Sequence, residues 1–117
     1  MLHASCHCGA VRLEIARKPR TLTECNCSIC RRYAARWAYT TKKSVRILSK
    51  PNSRATYVYD NKNFEYHFCK HCGCVTHYER INVKNTNGIA VNARMIDPDE
   101  LGSPPVRSLD VRKKARS

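Results

Sequence analysis

The residues most able to do chemistry in this chain are eight cysteines, which fall into three tight clusters separated by long intervals. The clusters have the spacings CxC, CxCxxC and CxxCxC, and their members are Cys6 and Cys8, then Cys25, Cys27 and Cys30, then Cys69, Cys72 and Cys74. In a zinc–thiolate site the sulfurs lie about 2.3 Å from the metal and hence about 3.8 Å from one another. Cysteines two or three residues apart on a sharp turn meet that spacing. The clusters therefore predict ligand pairs, and eight sulfurs predict two metal sites.

An even number of cysteines in a short chain is also typical of a secreted domain held together by disulfides. The N-terminal residues MLHASCHCGA show no charged start, apolar run or cleavage site, so we expect a cytoplasmic protein. Clustered thiols in that reducing compartment usually hold metal, and cysteines two residues apart are poorly placed to bond each other. Metal binding is therefore favoured, with disulfides and free thiols as the alternatives.

The length of 117 residues fits one domain of ordinary size. We expect a zinc-binding domain over residues 1–105, followed by a basic C-terminal tail over residues 106–117. No apolar run is long enough to cross a bilayer, so no membrane partner is expected.

The chain is strongly basic, with 22 Lys and Arg against nine acidic residues and a formal charge of +13. Such a charge favours anionic partners, which are nucleic acids or small acidic metabolites. The densest basic groups are Arg17, Lys18 and Arg20, then Arg31 and Arg32, then Lys42 and Lys43, then residues 112–116. No single basic recognition helix is visible, so nucleic acid is the less favoured partner.

Alternation of apolar and polar residues dominates the chain and predicts an all-β protein of short antiparallel strands. Strands are predicted at residues 11–15, 37–39, 45–47, 57–59, 64–68, 75–78 and 89–93. Turn-forming residues separate several of them, at 50–53, 60–63 and 85–88. Only residues 28–35 favour a helical turn or two, with Ser28 as the expected N-cap.

The chemistry of zinc divides the cysteines unequally. A structural zinc is closed by four protein ligands, whereas a catalytic zinc keeps one position open. Four thiolates from two distant segments, those of Cys6, Cys8, Cys69 and Cys72, would clip the first strand to the middle of the sheet, and such a clip stabilises a small core. The remaining ligands Cys25, Cys27 and Cys30 would leave a vacancy for substrate.

Cys74 is the eighth cysteine and has no place in this division. Gly73 suits the tight backbone of a zinc turn, after which the chain is expected to enter a strand. We therefore expect Cys74 to pack as a small hydrophobe. Completion of the three-cysteine site by Cys74 is the alternative.

Four motifs resemble the glutathione-dependent formaldehyde-activating enzyme family, which includes centromere protein V. They are SCHCGAV at 5–11, CNCSICRR at 25–32, FCKHCG at 68–73 and VNARMID at 91–97. The resemblance implies a β-tent fold with a structural zinc on Cys6, Cys8, Cys69 and Cys72, and a second zinc on Cys25, Cys27 and Cys30. It thus agrees with the division drawn from the chemistry of zinc.

The resemblance implies a carbon–sulfur lyase or synthase that joins formaldehyde to the thiol of glutathione, giving S-hydroxymethylglutathione. The open zinc site on Cys25, Cys27 and Cys30 would carry the chemistry, because a soft thiolate is a natural fourth ligand. Zinc with three thiolates has a net charge near −1 and acidifies water less than zinc on three histidines, so a hydrolase is the poorer candidate.

Substrate-binding residues are expected near the open site. Glutathione carries two carboxylates, which Arg31 and Arg32 are placed to bind because they follow Cys30 directly. Trp37 and Tyr39 are candidates for lining the pocket, and Arg94 is expected to brace the fold against Asp97. The acid that protonates the adduct oxygen is not identified, and the candidates are Tyr33, Tyr39 and His77.

Two alternatives to an enzyme remain open. One is a zinc-stabilised protein that binds or carries a thiol without catalysis. The other is a basic module that binds chromatin or nucleic acid, as centromere protein V does, for which binding should weaken steeply with salt.

Overall fold

The computed structural model describes residues 1–59, 63–81 and 87–111. Within them the protein is mostly β-structure with two short α-helices. The strands are β1 Leu2–Ser5, β2 Val11–Ile15, β3 Leu22–Cys25, β4 Trp37–Thr41, β5 Val45–Ser49, β6 Arg54–Tyr59, β7 Phe64–Cys69, β8 Val75–Arg80, β9 Gly88–Asn92 and β10 Val106–Leu109. The helices are α1 Ser28–Tyr33 and α2 Pro98–Leu101.

The first sheet has three strands in the order β1-β2-β5, all antiparallel. Its alternating residues follow the period of two that strand geometry requires, because Val11 and Leu13 are buried while Arg12 between them is exposed. Leu13 lies opposite Ala4 on one side and Ile47 on the other. This sheet therefore presents one apolar face to the rest of the protein.

The second sheet has seven strands in the order β10-β3-β4-β9-β8-β7-β6. Its neighbours pair antiparallel, except that β10 lies parallel to β3. An isolated bridge between Ala4 and Ile96 joins the first sheet to the segment that follows β9. The two sheets thus meet along β1, with their apolar faces turned inward.

Two hydrophobic clusters form the core. The first fills the space between the sheets and includes Leu13, Val91 and Ile96. The second surrounds Trp37 and Tyr66 and is rich in aromatic rings, among which those of Trp37 and Tyr78 meet edge to face with centroids 4.7 Å apart. Both Cys30 and Tyr66 belong to this second cluster. Its packing therefore positions the sulfur of Cys30, one of the three cysteines predicted to form the open site.

The all-β prediction is confirmed, and each predicted strand corresponds to one of β2, β4, β5, β6, β7, β8 and β9. The turn at 50–53 is present, with Asn52 in the left-handed region. Residues 60–62 and 85–86 of the other two predicted turns lie outside the described residues. The analysis of the sequence missed β1, β3, β10 and α2, which are only four residues long and show too few alternations to stand out.

The predicted helix at 28–35 is present as α1, but its N-cap is Cys27 and not Ser28. The Cys27 sulfur accepts a hydrogen bond from the backbone N–H of Cys30 at 3.4 Å. A sulfur thus takes the place that a Ser, Thr, Asp or Asn oxygen normally fills.

Residues 106–109 were expected to open a basic tail, and instead they form β10 beside β3. The backbone of Leu22 donates to the carbonyl of Pro105 at 2.9 Å, and that of Asn26 donates to the carbonyl of Leu109 at 3.2 Å. All four strand residues are exposed, so an apolar pattern gave no sign of this strand. Four residues of the expected tail are therefore part of the seven-stranded sheet.

Truncation after Pro105 tests this extension, because it removes the strand that pairs with the segment leading to Cys25. We expect the free energy of unfolding to fall by about 2 kcal/mol, the sum of several modest hydrogen bonds, as measured by urea unfolding. A control that removes only residues 112–117 keeps β10 and should unfold at nearly the same urea concentration as the full chain. An equal loss of unfolding free energy in both truncated proteins would contradict a structural role for β10.

Candidate functional site

The first group of sulfurs comprises Cys6, Cys8, Cys69 and Cys72, whose Sγ atoms all lie within 4.8 Å of one another. The Cys6 and Cys8 sulfurs are 3.8 Å apart, and the Cys8 and Cys69 sulfurs are 3.5 Å apart. The edge of a zinc–thiolate tetrahedron is about 3.8 Å. The donor set and its spacing therefore fit a metal ion closed by four thiolates.

Two sharp turns bring these sulfurs together. The first leaves β1 and ends at Gly9, whose N–H donates to the carbonyl of Cys6, while the second leaves β7 and ends at Gly73, whose N–H donates to the carbonyl of Cys69. Both glycines have positive φ, at 84° and 80°, where other residues are strained. The two cysteine pairs thus sit on matching turns that come from different sheets.

Backbone N–H groups surround these sulfurs. Val11 donates to the Cys6 sulfur at 3.3 Å, and His71 donates to the Cys69 sulfur at 3.4 Å. Burial opposes ionisation of Cys72, but hydrogen bonds from the Cys74 and Cys8 backbones and the Cys69 thiol lower its pKa to about 5. The backbone donors hold a thiolate, which is the form that binds metal.

The pKa of the Cys8 thiol in the same group is shifted in the opposite direction. The Ala10 backbone favours the Cys8 thiolate, but hydrogen bonds with the Cys69, Cys6 and Cys72 sulfurs and burial raise the pKa of Cys8 to about 11. Closely spaced thiolates repel one another, and a bound dication removes that repulsion.

The second group comprises Cys25, Cys27 and Cys30, whose sulfurs also lie within 4.8 Å of one another. Cys25 ends β3, Cys27 caps α1 and Cys30 lies in its first turn. One strand end and one helix start therefore supply all three sulfurs, which contrasts with the four sulfurs drawn from two sheets. The group could hold a metal ion and leave one position free.

Two buried aromatic residues contact the Cys30 sulfur. The indole Nε1 of Trp37 donates to it at 3.4 Å. The Tyr66 hydroxyl also contacts it, and burial together with the charge of Cys30 and Cys27 raises the pKa of Tyr66. Burial likewise raises the pKa of Cys30, to about 12. Sequence analysis did not single out Tyr66, because it is 36 residues from Cys30 and only the fold brings them together.

A cleft of about 490 Å³ opens beside this second group. Cys25 and Cys30 lie in its wall together with Arg31 and Arg94, and both arginines are exposed. Arg94 was expected to pair with Asp97, but it instead donates from Nε to the carbonyl of Ala34 at 2.5 Å. Asp97 accepts from the Asp99 backbone and caps α2. Two guanidinium groups thus flank the open side of the three sulfurs.

The other predicted substrate-binding residues lie elsewhere. Arg32 is on the opposite side of α1, where it donates to the carbonyl of Ser28 at 2.7 Å and lines a separate cleft with Tyr57 and Tyr59. Trp37 is completely buried, and its indole donates to the Cys30 sulfur. Arg31 and Arg32 could not be distinguished from the sequence, since the side of such a short helix that faces the cleft depends on its packing.

Cys74 packs against the first hydrophobic cluster and belongs to neither sulfur group of the described residues.

Among the histidines, His67 and His77 stack with ring centroids 4.3 Å apart, and His77 is completely buried. Burial lowers the pKa of His77 to about 3, so this ring is neutral near pH 7. It is therefore a core residue and a poor proton donor.

Glu65, His67 and Glu79 form a third set of ligand-type side chains, with donor atoms within 4.8 Å. His67 Nε2 lies 2.9 Å from a Glu65 oxygen. The guanidinium of Arg54 contacts the other ring nitrogen at 3.4 Å. The Glu65 contact lacks hydrogen-bond geometry, and His67 Nε2 has no hydrogen-bond partner among the described residues. The set is a polar cluster that links β6, β7 and β8.

The chain belongs to the glutathione-dependent formaldehyde-activating enzyme family, whose model matches residues 1–109. A relative from Halomonas elongata, named "Putative glutathione-dependent formaldehyde-activating enzyme", is 33% identical over 81 residues, which are 62% of this chain and 52% of the relative. The alignment thus spans about half the length of that relative.

A solved structure of a Rhodobacter sphaeroides protein has the same fold, with a TM-score of 0.71 at 28% identity, and the match covers 90% of this chain and 99% of that one. None of the helices in the described part of the chain is long and apolar enough to span a membrane.

Replacing Gly73 with alanine tests the turn geometry of the first sulfur group. No atom lies within 4 Å of the added Cβ, so the expected loss of about 1–2 kcal/mol comes from the left-handed backbone alone. Gly88→Ala is the matched control, because Gly88 also has free space around it and is not among the glycines with positive φ. Chemical unfolding of both variants measures the difference, and equal stability would contradict the requirement for a glycine at position 73.

Proposed function

We propose that this protein is a zinc-dependent carbon–sulfur lyase that joins a glutathione-type thiol to formaldehyde or a similar small aldehyde. In the forward direction a bond forms between the thiol sulfur and the carbonyl carbon, while the C=O bond becomes C–O–H. The thiol proton is balanced by the proton on the new hydroxyl. The reverse reaction cleaves the same adduct.

The observation that carries the proposal is the contrast between the two sulfur groups. Four sulfurs from two sheets lie close enough together to close a metal site, whereas only three sulfurs, those of Cys25, Cys27 and Cys30, lie together beside an open cleft. Closed sites are structural and open sites are catalytic in zinc proteins. Membership of the formaldehyde-activating family supports the same division.

We infer one zinc ion for each group, held by Cys6, Cys8, Cys69 and Cys72 and by Cys25, Cys27 and Cys30. At the second group a bound zinc ion supplies a Lewis acid that favours the thiolate form of a thiol ligand. Burial disfavours the Cys27 thiolate, but hydrogen bonds from the Cys30 and Ile29 backbones and neighbouring thiols outweigh it and lower the pKa of Cys27. This sulfur is therefore prepared to act as a zinc ligand. A reducing compartment such as the cytoplasm suits this chemistry, since it keeps thiols reduced.

Residues of the cleft would bind and orient the rest of the thiol. Arg31 and Arg94 are on the same cleft as the Cys25 and Cys30 sulfurs, and guanidinium groups bind carboxylates through paired hydrogen bonds. Because glutathione carries a carboxylate at each end, two separated arginines match it better than one.

Tyr66 supports the second sulfur group from inside the aromatic cluster, since it is buried and does not line the cleft. Burial and the charge of Cys30 and Cys27 raise its pKa, so its hydroxyl stays protonated and is a weak acid. Tyr33 packs against the Tyr66 ring with centroids 5.6 Å apart, so it supports that residue. Tyr39 lies on another cleft and hydrogen-bonds with Tyr78.

Zinc analysis of two cysteine variants tests the unequal roles. We expect the protein as purified to hold two zinc ions, Cys27→Ser to stay folded with one, and Cys72→Ser to unfold. The reason is that Cys72 helps to close a site shared by two sheets, whereas the second group depends on local elements. Metal content by mass spectrometry and folding by circular dichroism measure both effects. A folded Cys72→Ser protein with two zinc ions would overturn the assignment.

Turnover is tested by mixing glutathione and formaldehyde and following adduct formation by NMR exchange. The zinc-loaded protein should accelerate the exchange, and Cys27→Ser should reduce the acceleration by at least about 100-fold, as loss of a nucleophile-activating group does. Saturable glutathione binding without acceleration would instead identify a thiol carrier.

The neighbouring arginines provide a matched pair. Arg31→Ala should raise the KM for glutathione about tenfold, the effect of losing one charge-assisted hydrogen bond. Arg32→Ala removes the same charge one residue away, on the other side of α1, and should change KM less than about twofold. An equal rise in KM in both variants would show that glutathione binding depends only on the net charge of the protein.

A further inference from the structure

A second cleft, of about 360 Å³, shares no lining residue with the cleft beside the second sulfur group. It lies at the junction of the two sheets. Buried apolar side chains form its floor, and these are Ile15, Ala38, Val91 and Ile96. Exposed cations form its rim, and these are Arg17, Lys18, Arg20 and Arg107. The cleft therefore combines an apolar base with four positive charges.

None of the described residues that line this cleft is acidic. The cleft beside the sulfurs, in contrast, contains Glu24 and Asp110 as well as its arginines. Four cations around a concavity without a neutralising carboxylate repel one another and focus a positive potential there. An anion in this cleft would relieve that repulsion.

Hydroxyl groups add hydrogen-bonding capacity to the same walls, which include Thr21, Thr23 and Thr40. Nη2 of Arg107 donates to the hydroxyl of Thr23 at 3.4 Å, and Thr23 is only 2% exposed. Arg107 is thus anchored by a buried residue, which reduces the conformational entropy that its guanidinium loses on binding a ligand. The strand β10, which carries Arg107, fixes this side of the rim.

We propose that this cleft binds a small organic phosphate with an apolar or aromatic body, the chemistry of a nucleoside diphosphate. Guanidinium groups pair with phosphate oxygens through two parallel hydrogen bonds. The apolar floor and the half-exposed ring of Tyr39 offer a surface for a base. The volume lies near the lower end of the range of about 300–1,000 Å³ for small-molecule sites.

A single nucleotide fits the shape better than a polymer does. The four cations surround a concavity and do not form a stripe along a helix or strand, which is what a nucleic-acid backbone requires. The site uses Arg17, Lys18 and Arg20, which the proposed thiol chemistry leaves without a role. The inference therefore does not depend on the proposed lyase activity.

Isothermal titration of the zinc-loaded protein with ADP tests the proposal, with zinc content measured before and after. We expect one ADP per chain and no measurable binding of adenosine, because the phosphates supply the recognition. The double variant Arg17→Gln/Arg20→Gln should weaken ADP binding at least about tenfold. The matched control Lys43→Gln/Lys50→Gln removes two exposed charges that do not line this cleft and should weaken it less than about twofold.

Four results would overturn the proposal. Equal weakening in the two double variants would show long-range attraction alone, and equal affinity for adenosine would show that phosphate is not recognised. Binding of a 12-nucleotide DNA strand without binding of ADP would identify a nucleic-acid surface. Displacement of ADP by saturating glutathione would make the cleft part of the thiol site, whereas unchanged ADP affinity supports a separate one.

Discussion

The structure depends first on the closure of four sulfurs from Cys6, Cys8, Cys69 and Cys72. The first pair lies on the turn after β1 in the small sheet, and the second lies on the turn after β7 in the large sheet. A metal held at such a site stabilises zinc-finger peptides by about 10–16 kcal/mol. That is comparable to the entire stability of an ordinary domain, about 5–15 kcal/mol. A metal ion here would decide whether the two sheets stay together.

The second sulfur group has different physical support. Its three sulfurs come from one strand end and the start of α1, and the Cys30 sulfur accepts from the indole of Trp37 inside an aromatic cluster. Burial and packing hold these sulfurs in place independently of any fourth protein ligand. The open side faces a cleft with Arg31 and Arg94. The proposed function thus assigns stability and reactivity to separate parts of one small domain.

Much of this arrangement follows from the sequence because short spacing is a strong geometric constraint. Cysteines two or three residues apart must lie close together, and the structure brings together the same four and the same three sulfurs that zinc chemistry and the family resemblance predicted. Long strands with regular alternation, such as β2 and β7, were recognised for the same reason. The fold class required only that periodicity.

Contacts between distant residues could not be predicted in this way. The approach of Tyr66 to Cys30 depends on how β7 packs against α1. β10 was not predicted, because all four of its residues are exposed and it pairs parallel to β3 at the sheet edge. The side of α1 that Arg31 and Arg32 occupy is also set by packing, since one turn of helix has no reliable periodicity.

The N-cap of α1 has a further consequence. The Cys27 sulfur both belongs to the open group and accepts the first backbone hydrogen bond of the helix. Oxidation of this sulfur would therefore do more than remove a ligand, because sulfinic or sulfonic oxygens change the size and charge of the cap. The helix carries Arg31 into the cleft, so damage to one sulfur would also misplace a cation on its wall. The redox state of a single atom would in this way affect the secondary structure of the site.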